Sequence, residues 1–160
     1  MCCSNLQTKT ASRWMSKASN LGFAIHEVDW GTAQAELRQI RQSVFIEEQQ
    51  VPVELEWDGL DEQALHLLAV DTLGKPIGCA RILPEGIIGR MAVIKEWRGQ
   101  GVGQALLGKA VNVCRTHGWQ NVTLSAQTHA ISFYELSGFV ICSEEYLDAG
   151  IPHRDMRLDK

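Results

Sequence analysis

The sequence predicts an α/β (α+β) fold with a mixed, mostly antiparallel sheet of six to seven strands and helices on its faces. Three observations predict it. Three strand-like runs follow one another across short turns between residues 64 and 94. A junction studded with glycines then opens a helix that leads to another strand, and one intervening helix is the usual link between parallel neighbours. A last pair of strand-like runs closes the chain. The 160 residues suit one domain with one sizeable core.

In chain order, "FAIHEVDW" (Phe23 to Trp30) alternates as a first strand does. Thr32 is placed to cap a helix through about Ile46, with Leu37, Ile40, Val44 and Phe45 on one face. Pro52 closes that region, and "EWDGLDE" reads as an acidic loop turning at Asp58-Gly59. It is read as a solvated rim in preference to a wall for a bound molecule. Ala64 to Val70, Ile77 to Leu83 and Ile87 to Ile94 form the meander, linked by "DTLGKP" and "PEG". A helix runs to about Thr116 and stops at Gly118. Val122 to Ala126 is the strand expected to lie parallel to Ile87 to Ile94. A short helix covers Ala130 to Ser137, and Phe139 to Tyr146 and His153 to Leu158 are the last strands.

Composition narrows the function. Hydrophobic residues make up 45% and charged residues 21%, ordinary for a globular protein, and the net charge is -4. A general nucleic-acid binder would show a basic face, so that class is set aside. The five cysteines are odd in number and form no C-x-x-C pair, which points to a reducing compartment, the cytoplasm, and to no metal site. No run approaches a membrane span. Residues 1–20 are polar and acid-free, without the apolar run of a secretory leader, and read as a disordered tail ahead of one domain over 21–160.

"EWRGQGVGQALLGKA" carries the most chemical information. Gly99, Gly101 and Gly103 lie where a strand ends and a helix starts. The first turn of a helix leaves N–H groups without partners, and glycines let an anion approach them. The spacing is not the G-x-G-x-x-G of a dinucleotide site. "GQALLGK" matches a P-loop by letters, but Ala110 stands where the magnesium-binding hydroxyl belongs and "QALL" favours helix.

What does fit is R/Q-x-x-G-x-G/A, met by Arg98, Gly99, Gln100, Gly101, Val102 and Gly103. This resembles the acyl-CoA pyrophosphate loop of the GCN5-related N-acetyltransferases. "FYELSGF" resembles the same family's aromatic helix and glycine. "VFIEEQQVP", "ARIL", "IGRMAV", "SAQTHA" and "DAGIPH" resemble its ElaA-like branch in order and spacing. The resemblance implies about four helices and a splayed parallel strand pair at an acyl-CoA site. It implies that Met91, Ala92 and Val93 hold the thioester while the 98–103 loop, Phe133 and Tyr134 hold the rest of the co-substrate, acetyl-CoA.

Further expectations follow from the resemblance. A freed N–H of Ala92 or a neighbour would stabilise the oxyanion, and Tyr134 would protonate the departing thiolate. The family often carries Glu just ahead of the fourth strand's Arg-like position, where Gly89 and Arg90 stand here. The base therefore falls among Glu48 first, His153 second and Glu47 third. Phe45, Glu48, Gln49, Arg81, Arg90 and Gln127 are the acceptor-side candidates. Arg81 and Arg90 suit either an acceptor carboxylate or a pairing with Glu48 or Asp58. The expected activity is direct acetyl transfer to an amine, a small molecule by preference. A non-catalytic acyl-CoA-binding or sensor module is the rival. A homodimer through the last strands is also compatible with the family.

Overall fold

The structure, a computed structural model, describes residues 21–159. The expected N-terminal tail lies outside the described residues. The first strand, β1 (Phe23–Val28), stops two residues short of Trp30, because Asp29 caps the next helix. The Asp29 carboxylate accepts from the Thr32 N–H at 2.8 Å, so Asp29 takes the capping position expected of Thr32. Trp30 thereby enters helix α1 (Trp30–Arg41) and lays its ring 5.4 Å from that of His66.

The chain does not stay α-helical to Ile46. From Gln42 to Glu48 it widens into a π-helix. Apolar spacing alone does not separate the two coils, and the π form is often found at functional sites. A second unforeseen element is the single-turn helix α2 (Val53–Glu56), which begins just after Pro52.

Strands β2 (Leu65–Asp71), β3 (Pro76–Leu83) and β4 (Ile87–Val93) form the antiparallel meander, within a residue of the expected bounds. Helix α3 (Val102–Thr116) presents Val102, Leu106, Ala110 and Val113 to the core and ends at Gly118, whose φ is +73°. It returns the chain to β5 (Thr123–Gln127), which lies parallel to β4 as expected. Helix α4 (Ile131–Glu135) follows a single 3₁₀ turn.

The expected strand from Phe139 to Tyr146 is two strands, β6 (Phe139–Ile141) and β7 (Tyr146–Asp148). Both pair antiparallel with β8 (Ile151–Leu158). Between them the Ser143 hydroxyl accepts the Asp155 N–H at 2.8 Å, a side chain standing in for a ladder carbonyl. The β7–β8 link is a two-residue turn in which Ala149 and Gly150 both have positive φ, as a tight hairpin demands. The eight strands run β1-β2-β3-β4-β5-β8-β6, with β7 beside β8. One face of the sheet carries α3 and the larger core; the other carries α1 over the β1–β4 half.

Candidate active site

The sheet comes apart in its middle. β4 and β5 pair only at Ile87↔Thr123 and Ile88↔Leu124. Beyond Ile88, β4 carries a bulge: Cys79 faces Ala92 but Arg81 faces Gly89, so β4 has one residue more than β3 over this stretch. Arg90 sits in the bulge with φ +46°, a left-handed conformation that is uncommon for a residue with a long side chain.

Past the bulge, the direction of each backbone group can be read. The Ile94 N–H donates to Ile77 O, and Arg98 Nε donates to Val93 O at 3.0 Å. Alternate residues of a strand address opposite edges. Ala92 therefore points its N–H toward β3, whereas the Val93 N–H points away from β3 into the gap. The gap is a cleft of about 890 Å³. Met91, Ala92, Val93 and Arg98 line one stretch of it, with Phe45 and Glu48 of the π-helix, Gln49 just after it, and Gln127, Tyr134 and His153. Gln127 donates to Gln49 at 2.8 Å and ties β5 to the π-helix.

The glycines shape the junction between β4 and α3. Gly99 and Gly101 adopt φ of +77° and +87°, and no heavy atom lies within 4 Å of where a Cβ would be at either. Their backbone angles, and not crowding, call for glycine. A Cβ on Gly103 would meet the Phe133 ring at 3.4 Å, so this glycine brings α3 against α4. No side chain caps α3. The first bond into the helix is from Ala105 N–H to Gly101 O, leaving the N–H groups of Val102, Gly103 and Gln104 without acceptors among the described residues. Arg98, at the head of this loop, holds both Glu48 oxygens at 2.6 Å. That hydrogen bond lowers the Glu48 pKa.

Tyr134 is half-buried, edge-on to Phe133 and Phe139, and its hydroxyl has no hydrogen-bond partner among the described residues. Burial raises its pKa, so the phenol keeps its proton. His153 is buried, with Nδ1 2.6 Å from Ile151 O. A carbonyl only accepts, so Nδ1 donates to it, and Nε2 makes no hydrogen bond among the described residues. Cys79 is fully enclosed, and burial pushes its thiol up to about 12. Among the described residues no three His, Cys, Asp or Glu side chains gather as a metal would require, and no helix is long and apolar enough to cross a membrane.

Residues 32–160 match the acetyltransferase (GNAT) domain family. This chain is a member of the GNAT acetyltransferase family. It is 37% identical over 124 residues to a Bacillus subtilis protein described as the uncharacterized N-acetyltransferase YjcF, covering 75% of this chain and 88% of that one. It is 36% identical over 129 residues to Escherichia coli ElaA, covering 75% and 83%. The crystal structure of E. coli ElaA superposes with a TM-score of 0.77 at 30% identity, over 86% of this chain and 99% of that one. An acyl-CoA N-acyltransferase from Pseudomonas aeruginosa superposes with a TM-score of 0.73 at 34% identity, over 86% and 98%. The mixed sheet with one splayed parallel pair is thus a GNAT sheet, and the resemblance to the ElaA-like branch holds.

In this GNAT chain the acidic loop is not a solvated rim. It folds back onto three arginines, two of which also line the cleft. Arg41, 1% exposed, binds Glu56 and Asp61, each at 2.7 Å. Arg81 binds Asp58 at 2.9 Å and Asp61 at 3.2 Å. Arg90 reaches Asp58 at 3.1 Å and Glu56 at 3.3 Å, and also donates to the carbonyls of Leu55 and Glu56. Trp57 stacks over Arg38 and Arg41, with guanidinium carbons 4.6 and 4.8 Å from the ring. Of the two pairings open for Arg81 and Arg90, the structure forms the one with Asp58; Glu48 belongs to Arg98. His66 is a satisfied core residue, with Nε2 2.8 Å from Asp61 O.

Burial alone would raise the Asp58 pKa, but the Arg81 hydrogen bond, the Leu60 N–H and the charges of Arg81 and Arg90 outweigh it and hold the value at about 2. Deeper in, burial dominates and raises the Glu56 pKa despite its arginines. Arg41 was not among the residues singled out from the sequence. Its signal was present: it is a charged residue in line with the apolar stripe of Leu37, Ile40 and Val44, where an arginine needs a buried partner.

Proposed function

We propose that this protein transfers the acetyl group of acetyl-CoA directly to an amine, preferably that of a small molecule. The observation that carries the proposal is the open edge of β4 at Val93, next to the uncapped start of α3. The N–H groups of Val102, Gly103 and Gln104 would receive the diphosphate. The Val93 N–H would polarise the thioester carbonyl and take the charge of the oxyanion. Of the candidate bases, His153 suits the task best. His153 lines the cleft and its Nε2 makes no hydrogen bond among the described residues, whereas both Glu48 oxygens are engaged by Arg98 and the pKa of Glu48 is lowered.

The acceptor ammonium gives a proton to His153 Nε2. The neutral nitrogen forms the N–C bond, and the C–S bond breaks. Tyr134 supplies the proton that the thiolate takes. The new amide nitrogen passes its second proton through water to the Tyr134 phenolate, and His153 releases the first proton to solvent. Cys79, buried and with its thiol raised to about 12, is unsuited to an acyl-enzyme step, which supports direct transfer.

The test is thiol release from acetyl-CoA across a panel of amines. Tyr134→Phe is expected to lower kcat by about 100-fold while leaving the acetyl-CoA dissociation constant within about twofold. Because burial raises the Tyr134 pKa, the wild-type rate should hold through the ordinary tyrosine range and fall only above it. Unchanged turnover in the variant would remove Tyr134 from the chemistry. Binding of desulfo-CoA with no thiol release for any amine would favour the sensor reading instead.

A further inference from the structure

We infer that the acceptor is an amine with an uncharged, apolar body: an alkylamine or arylalkylamine without a carboxylate. This rests on the proposed acetyl transfer, which assigns the Arg98 end of the cleft to acetyl-CoA and leaves the other end to the amine.

Two observations carry the inference independently. The first is the charge inventory of that end. Arg41, Arg81 and Arg90 face Glu56, Asp58 and Asp61, three guanidiniums against three carboxylates, so the wall is already neutral. Both terminal nitrogens of Arg81 are bonded to Asp58 or Asp61. Arg90 makes its hydrogen bonds through Nη2; its Nε is buried 3.3 Å from Glu56 without a hydrogen bond, and an anion approaching Nη1 meets Glu56 and Asp58 at the same guanidinium. An acceptor carboxylate would lose its water without gaining an uncompensated cation. Asp148, at the rim, is the one lining carboxylate without an ion pair among the described residues, and it favours an approaching ammonium.

The second observation is the apolar surface left open. Phe45, Val51, Leu55, Leu83 and Ile87 all line the cleft. Leu55 is 50% exposed and Ile87 44% exposed. A single exposed leucine is ordinary, but exposed Leu55 and Ile87 in one cleft that Val51 and Leu83 also line form a surface that an apolar ligand would cover. The Arg90 bonds to the Leu55 and Glu56 carbonyls fix α2, and hence Leu55, over this wall.

The experiment compares kcat/KM for thiol release from acetyl-CoA with 2-phenylethylamine, phenylalanine, hexylamine and 1,6-diaminohexane, alongside calorimetry with desulfo-CoA. 2-Phenylethylamine should exceed phenylalanine, which differs by the carboxylate alone, by about 100-fold. Hexylamine should exceed the diamine by about tenfold. Leu55→Asp should raise the hexylamine KM by about tenfold with the acetyl-CoA KM unchanged. Phenylalanine or the diamine reacting as well as its apolar counterpart would overturn the inference while leaving acetyl transfer intact. Desulfo-CoA binding without turnover of any of the four amines would overturn the inference, and the wider amine panel would then decide between acetyl transfer and the sensor reading. No desulfo-CoA heat would overturn the acetyl transfer reading and this inference with it.

Discussion

Two groups of ion pairs flank the cleft, and they are built differently. The Arg41, Arg81 and Arg90 group lies under α2 and Trp57, with the Arg41 and Glu56 side chains 1% and 3% exposed. The Arg98–Glu48 pair lies at the glycine loop, with its side chains 42% and 40% exposed. The geometry of the exposed pair is at least as good, two bonds of 2.6 Å. Its surroundings set its worth: water solvates both partners when they separate, so breaking it costs little. In the buried group, losing one partner strands another in the interior. The first group therefore holds a wall in place, and the second is a contact that the proposed diphosphate would displace.

The largest expected effect is on the buried group. Arg41→Met should cost about 3–5 kcal/mol of folding stability, because Glu56 and Asp61 lose their closest cation. Chemical denaturation would show it, and a loss below about 1 kcal/mol would mean that the two groups do not differ in kind. A smaller effect is expected from acid. The Asp58 pKa lies at about 2 against 3.8 for a free carboxyl, so its contribution is complete above the unfolded value and is lost as pH falls from about 4 toward 2. Asp58→Asn should remove about 1–2 kcal/mol of that pH-dependent stability, seen as a flatter slope of unfolding free energy in this window. Glu56, whose pKa is raised, has the opposite sign: protonation as pH falls relieves its burial.

The smallest effect on stability is expected at the exposed pair. Glu48→Gln should change folding free energy by no more than about 0.5 kcal/mol. It frees the Arg98 guanidinium, so the acetyl-CoA KM should fall by about threefold at low salt, with the gain shrinking at high ionic strength. An unchanged KM would show that this contact is as closed as the buried one.

Much of the scaffold could be read from local sequence. The meander followed from alternating runs and short turns, and the parallel return from the helix between Gly101 and Gly118. The glycine-bearing junction between β4 and α3 was legible because the positive φ of Gly99 and Gly101 leaves a mark on composition; that it takes an anion is the proposed reading. Tyr134 was visible only through its resemblance to the family motif, because a half-buried tyrosine looks like any other packed aromatic. The Asp58 pairing of Arg81 and Arg90 stood among the alternatives, but the partners of Arg41, Glu56 and Asp61, lie 15 and 20 positions away, a pairing no periodicity encodes. Nothing in the letters at Arg90 announces a left-handed backbone either; Gly89, beside it, would have been the easier residue to place there.

The parting of β4 from β5 puts a hydrogen-bonding template in the interior of a sheet instead of at its border. Borders invite intruding chains, and proteins usually defend them with charge or cover. Here the open stretch is short and internal: β4 and β5 stay paired at Ile87 and Ile88 and part only beyond, so the unpaired edge lies between two strands of the same sheet. The chain can thus keep donors in waiting without the usual liability of an unsealed β-edge.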